Sequence, residues 1–438
     1  MTRAILARIF GVSFWALLNA LSLRLLNLIS MYLAARYLVA EAYGSLALIT
    51  NTVQTWSILL AGGVSITLSK YAGEYRGKSL PCAASLISSL SILVAGMAAL
   101  VFALTSFCGD FISRLFFNGK LSAHDVAVLG GWLFLLTMQT TVQGAISGLE
   151  QYKKTALFSL LGGSVALLLI YAIVPHQRDW ILAALIIGTT LTWLTTSGAV
   201  ITTIRSWKCG WRYFDTAHMS LIIKFGIPAF VSGLVVSQSQ WYANLKVANA
   251  ANGLADLAGL NISLQWYAII LFIPGAVSNA MLPIMARLGT NQREQLSYLH
   301  LAFLTNLTIA LLMAATAIAW RGQILGEYGE HYRGFAELFK YLAIAASING
   351  ATSIFTQHIA SHGKGLLLLY INIFWALLFL CINFVLNFEQ RHAEVVGISY
   401  VFSNAAQAIL VIFFSYRLTL QHKSKTHDSF QTLEIPEE

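Results

Sequence analysis

Near the start of the chain stands GVSFWALLNALSLRLLNLISMYL, Gly11 to Leu33, an apolar run interrupted about midway by Arg24. About 20 apolar residues in helical form cross a hydrocarbon core of roughly 30 Å, and this run is long enough to do so. A guanidinium at the centre of such a helix costs roughly 2.5–3.5 kcal/mol on insertion scales, so it is expected to face protein or a wet cavity. In a chain with little other chemistry, that points to the handling of an anion.

The rest of the chain repeats the first part of that pattern. Hydrophobic residues make up 57% and charged residues 10%, against a charged fraction of roughly 25% in soluble domains. The mean hydropathy is +0.70. Apolar stretches of spanning length fall at about 10–34, 44–68, 82–104, 126–149, 155–174, 181–204, 221–245, 257–284, 298–320, 335–359, 365–387 and 395–417. These predict an all-α polytopic membrane protein of about twelve transmembrane helices. The segments 69–81 and 205–219 are expected to be polar loops, and 418–438 a polar tail.

Charge orients the spans. With both termini on one side, 17 of the 27 Lys and Arg fall on that side, nine on the other, and Arg24 lies between. The positive-inside rule then places both termini in the cytoplasm. The net charge of +9 follows this retention pattern, and no basic run points to nucleic acid. Arg24 and the many following spans argue against a cleaved signal peptide. The four cysteines show no CxxC spacing and predict neither a disulfide framework nor a metal site. His358 and His362 have i, i+4 spacing but no third ligand nearby in the sequence. No nucleotide-binding loop is present, so no ATP-driven step and no cofactor is expected.

The two halves echo each other. Glu41-Ala-Tyr-Gly44 opens the second span and leads to Ser65, while Asp256-Leu-Ala-Gly259 opens the eighth and leads to Ser278. Internal repeats of helix bundles are common among transporters. The expected organisation is a six-helix lobe over 1–204, a cytoplasmic inter-lobe loop over 205–219, a second six-helix lobe over 220–417, and the 418–438 tail.

Polar side chains recur at helical spacing inside apolar runs. Gln139, Gln143, Ser147 and Glu150 share one face; so do Ser237, Gln240 and Asn244 with Trp241 beside them; so do Asn349, Ser353 and Gln357. Amides facing lipid would be left unsatisfied, so each stripe must face protein or water. The bland reading is interhelical hydrogen bonding; the sharper one is the lining of a central cavity between lobes. Asn27 lies three residues from Arg24 and therefore on its face. The expected substrate-binding set is Arg24, Asn27, Gln139, Gln143, Gln240, Trp241, Asn244, Asn349 and Ser353. Lys246, Asp256, Glu150 and Lys70 are expected at a gate or mouth, with anionic headgroups the alternative partner for Lys70.

Several short motifs, taken in order, carry a resemblance. They are Ala34-Ala-Arg36-Tyr-Leu38, Glu41-Ala-Tyr-Gly44, Gly63-Val64 with Lys70-Tyr71, Phe225-Gly-Ile-Pro228, Met281-Leu-Pro283 through Arg287, and Gly397-Ile-Ser-Tyr400. Along nearly its whole length the chain resembles the Wzx-type polysaccharide or O-antigen flippases of the multidrug/oligosaccharidyl-lipid/polysaccharide (MOP) exporter superfamily. The resemblance implies two six-helix lobes around a central cavity. It also implies export of an undecaprenyl-diphosphate-linked oligosaccharide, such as a lipopolysaccharide O-antigen unit, from the cytoplasmic to the periplasmic leaflet of a bacterial inner membrane. The implied partners are that lipid-linked oligosaccharide, membrane lipids, and the polymerase and other polysaccharide-assembly proteins. The chain is then not an enzyme. A drug–cation exporter of the same superfamily would call for mid-span carboxylates, and a membrane-embedded assembly enzyme for long outer loops; neither is seen in the sequence.

Overall fold

The computed structural model describes residues 15, 18, 24–172, 178–208, 214–288, 292–386 and 392–431. Among them the structure is helical throughout. Helix α1 covers residues 24–37 of the first apolar run. There follow α2 (Ala40–Lys78), α3 (Leu80–Phe107), α4 (Gly109–Phe117), α5 (Ala123–Gly148), α6 (Tyr152–Ala172) and α7 (Arg178–Ser206). The second series is α8 (Met219–Leu221), α9 (Ile227–Ala248), α10 (Gly253–Leu288), α11 (Gln292–Ala319), α12 (Arg321–Tyr328), α13 (Ala336–Ser361), α14 (Gly365–Val385) and α15 (His392–Gln431). Twelve of these are long and three are short. Nine of the described helices have the length and composition to cross a membrane.

Helices of similar length follow one another in a similar order in two series. From α2 to α7 the helices run 39, 28, 9, 26, 21 and 29 residues. From α10 to α15 they run 36, 28, 8, 26, 21 and 40. The short helices α4 and α12, which hydropathy does not reveal, occupy the same place in each series.

Two polar segments read as loop or tail are helical instead. The basic segment 69–81 is helix up to Lys78, and α3 begins two residues later with Pro81 in its first turn. Charged residues do not end a helix; they mark only where the apolar run stops. Here Lys78 Nζ lies 2.7 Å from Glu74 one turn back, an arrangement that supports helix. That pairing holds the Glu74 carboxyl below the usual carboxylate range. Likewise α15 continues through Gln431, well past the apolar stretch.

By its internal contacts the chain divides into two compact units, Met1–Ala258 and Gly259–Glu438. In the first, α2 and α5 pack through small residues. A methyl group added to Gly148 would lie 2.7 Å from the Leu68 carbonyl oxygen, and one at Gly144 would lie 2.5 Å from that of Ser65. Backbones this close are the usual device of helix pairs in lipid, where burial of apolar area gives little drive. At the end of this unit that carries α4, Ser122 and Asp125 form a reciprocal capping box at the start of α5. Asp125 also takes Arg178 Nη2 of α7 at 2.6 Å, while Arg178 Nη1 lies 3.2 Å from Ser45 Oγ of α2. One arginine therefore ties three helix ends together.

The second unit is built around α13, the most enclosed of the candidate spans. Tyr267 Oη of α10 accepts from Asn349 Nδ2 of α13 at 2.8 Å and from Asn404 Nδ2 of α15 at 3.2 Å. Asn404 Oδ1 accepts from Trp375 Nε1 of α14 at 2.7 Å. This polar knot joins four helices, and each bond satisfies a group that lipid could not.

Candidate functional site

The first helix sets where Arg24 points. Ser30, Met31, Ala34, Ala35 and Leu38 are buried and define the packed face of α1. Arg24 and Asn27 are both exposed, one turn apart, at the other end of the described helix. The guanidinium thus stands on an open face beside an amide. Lys70, toward the end of α2, is also exposed, with Nζ 4.9 Å from the centre of the Tyr71 ring.

In α5, Gln139 is 6% exposed and Gln143 is half-buried. Neither makes a side-chain hydrogen bond among the described residues, so their amides remain for water or a ligand. Glu150, just past the end of α5, is exposed and adopts a left-handed backbone with φ 56°. In α9, Asn244 is 8% exposed and Gln240 half-buried. Trp241 sits in an aromatic cluster of the same unit. Its Nε1 donates to Thr52 Oγ1 at 3.1 Å, and its ring meets Trp56 edge-on at 5.6 Å and Phe116 at 6.5 Å. Lys246 and Asp256 are both half-buried, at the end of α9 and in the first turn of α10.

The α13 stripe lies in a different setting. Asn349 belongs to the Tyr267 knot described above. Ser353 Oγ lies 2.6 Å from Ser278 Oγ of α10, which accepts from Asn306 Nδ2 of α11 at 2.8 Å. The hydrogen bonds of Asn349 and Ser353 therefore run to neighbouring helices inside the second unit.

Sequence reasoning did not single out Thr52, Trp56 or Phe116. Thr52 and Trp56 are one helical turn apart, and that spacing was the available signal; Phe116 sits on α4, which hydropathy does not show. Nor did it find Asp125 with Arg178, because the partners come from helix starts 53 residues apart. Chemically, the guanidinium of Arg24, the amides of α5 and α9, and the Trp56–Trp241 indoles are groups of the kinds that hold phosphate and sugar hydroxyls.

The comparisons agree with this architecture. A family described as "Polysaccharide biosynthesis protein" matches residues 12–289, and one described as "MatE" matches residues 228–388. The chain is 22% identical over 349 residues to the EPS I polysaccharide export inner membrane protein EpsE of Ralstonia solanacearum, covering 77% of each. Among solved structures, it is similar to an inward-facing multidrug resistance MATE family transporter of the MOP superfamily. The TM-score is 0.74 at 16% identity, over 92% of this chain and 96% of that one. Lipid II flippase MurJ gives 0.72 at 13% identity, over 97% and 94%. At such identities these two likenesses are of fold, and both neighbours share the long-helix arrangement described above. With well over half of its length matched by the first of those descriptions, the chain belongs to the polysaccharide biosynthesis protein family.

Proposed function

We propose that this protein is a flippase of a bacterial inner membrane. It would carry an undecaprenyl-diphosphate-linked oligosaccharide, O-antigen-like or another surface polysaccharide unit, from the cytoplasmic to the periplasmic leaflet by alternating access. The observation that carries the reading is the family match over residues 12–289, supported by a relative whose name is that of a polysaccharide export protein. The side chains suit the task. Flipping breaks no bond, so it requires no nucleophile; it requires a cation for the diphosphate and polar walls for the sugars.

Arg24 is the proposed diphosphate contact, through its planar fork. Asn27, Gln139, Gln143, Gln240 and Asn244 are the proposed polar walls, and Trp241 with Trp56 a platform for a sugar ring. Lys246, Asp256, Glu150 and Lys70 would flank the mouths. Asn349 and Ser353 stay in the proposal only as groups that could exchange their present partners for substrate. A drug–cation exporter would need an available buried carboxylate. Among the described residues the buried carboxylate is that of Asp125, and it is paired with Arg178.

Substitution of Arg24 tests the assignment. Arg24→Ala is expected to abolish export, measured as surface polysaccharide, while membrane abundance stays near that of the parent. Arg24→Lys should keep part of the activity, since charge survives and the bidentate fork does not. Loss of activity matched by loss of protein would show a structural role instead.

A further inference from the structure

At the end of the second unit where α13 stops, three histidines gather. His358 is completely buried (0% exposed). Its Nδ1 lies 2.7 Å from Ser415 Oγ of α15, and its Nε2 has no hydrogen-bond partner among the described residues. One turn on, His362 places its ring 4.5 Å from that of His358, with Nδ1 2.9 Å from the His358 carbonyl oxygen. From α11, His300 Nε2 lies 2.6 Å from Tyr416 Oη, and the Tyr416 ring packs 6.0 Å from Phe355. The surrounding side chains are apolar: Leu299, Ile354, Ile359, Ile371 and Val411.

A buried nitrogen left without a partner costs about 1–3 kcal/mol, so its presence calls for a reason. Among the described residues no hydrogen bond or ring contact of His358 is to an anion: its own helix supplies His362 and α15 supplies Ser415. His300 of α11 meets the next residue, Tyr416, and Leu367, Leu368 and Ile371 of α14 belong to the apolar cluster at this end. Lys364 and Arg417 nearby in sequence are exposed cations. Among the described residues of this unit the acids are Glu294, Glu327, Glu330, Glu337, Glu394 and, close to the far end of α15, Asp428. The five glutamates lie in the first turn of a long helix or in the short elements around 321–335. No ion pair to His358 exists among the described residues. A proton on Nε2 would therefore create an uncompensated buried charge, which packed helices tolerate poorly.

We propose that His358 is a proton-binding site that couples protonation to opening of this end of the second unit. With Nδ1 carrying its hydrogen toward Ser415, the bare Nε2 lone pair is the position the proton takes. The neutral ring lets α11, α13 and α15 close over it; the imidazolium requires water, and the helix ends part to admit it. Opening is thus favoured only as pH falls below about 6.5, the unperturbed histidine value. Use of this step in transport rests on the flippase reading, but the test below reads conformation and needs no substrate.

Spin labels at Ser297→Cys and Lys364→Cys, both exposed positions, would report the separation of the α11 and α13 ends. The full chain, freed of native cysteines, would be placed in lipid nanodiscs and measured by pulsed electron resonance from pH 4 to 8. The parent should show a longer distance at low pH, titrating with a one-proton slope. His358→Gln should lose that change, while His362→Gln should keep it. A parent whose distances do not change with pH would overturn the proposal whether or not the variants fold. So would a His358→Gln protein that retains the full change.

Discussion

Arg178 shows how much one side chain can hold in this protein. Its guanidinium spans Asp125 and Ser45 and also reaches the exposed Asp179 at 2.8 Å. The Arg178 and Asp125 side chains are 23% and 8% exposed, whereas Asp179 is 75% exposed, so the two ion pairs differ in weight. Removing one member of a buried pair leaves the other uncompensated, which costs about 3 kcal/mol or more; an exposed pair contributes about 1 kcal/mol at most. Arg178→Ala is therefore expected to lower stability in detergent by about 3 kcal/mol, read as the midpoint of thermal unfolding. Asp179→Asn should change it by less than 1 kcal/mol. Adding Asp125→Asn to Arg178→Ala should recover part of the loss, because the unpaired charge is then gone. A larger loss in Asp179→Asn than in Arg178→Ala would show that the buried pair does not bind these helices. None of this was legible in the sequence, where Arg178 reads as one more cation at the end of a span.

Among the elements, the segment between α7 and α9 is expected to attach in a pH-dependent way. A single 3-10 turn, Thr216–His218, precedes α8 and a π-helical stretch at Ile222–Gly226. Asp215 N donates to Ser89 Oγ of α3 at 2.8 Å, and the His218 ring lies 6.3 Å from Tyr75 of α2. Burial lowers the affinity of His218 for a proton, and the Asp215 carboxylate offsets this only in part. Since the docked form binds its proton more weakly than the free segment, docking is full above the ordinary histidine value of 6.5 and weakens as pH falls below it. Amide exchange across 214–219, corrected for intrinsic rates, should quicken between pH 7 and about 5. It should lose that pH response in His218→Gln. Exchange that is the same at both pH values in the parent would dismiss the docking role. Hydropathy marks this stretch only as a polar loop, because hydropathy carries no information about which helix a loop lies against.

For the whole molecule, orientation is the property that charge alone predicts. The excess of Lys and Arg on the side of the termini leads to cytoplasmic termini and a cytoplasmic 205–219 segment. In cysteine-free protein, Lys208→Cys should react only with a membrane-permeant maleimide. Asn118→Cys, in the exposed turn after α4, should be blocked by an impermeant reagent applied from the periplasm. Reaction of position 208 with the impermeant reagent in intact spheroplasts would reverse the proposed topology or break the span count.

Composition and periodicity by themselves determined that the chain is a bundle of membrane helices. Apolar runs of spanning length allow no other solution, since backbone groups in hydrocarbon must be bonded within each helix. The same reading pointed to a repeat, with Gly44 in the first turns of α2 and Gly259 in the first turns of α10. The family resemblance, too, was visible in short motifs kept in order. Tertiary structure alone decided the partners. Gln139 and Asn349 look alike in sequence, each an amide in an apolar run. In the folded protein Gln139 makes no side-chain hydrogen bond among the described residues, while Asn349 is committed to Tyr267 across a helix interface. Hydrogen bonds are short and directional, so a one-dimensional pattern can demand a partner for a buried polar group but cannot say which helix supplies it. The unpaired Nε2 of His358 belongs to the same class of fact, because an absent partner can be recognised only after every neighbour has been placed.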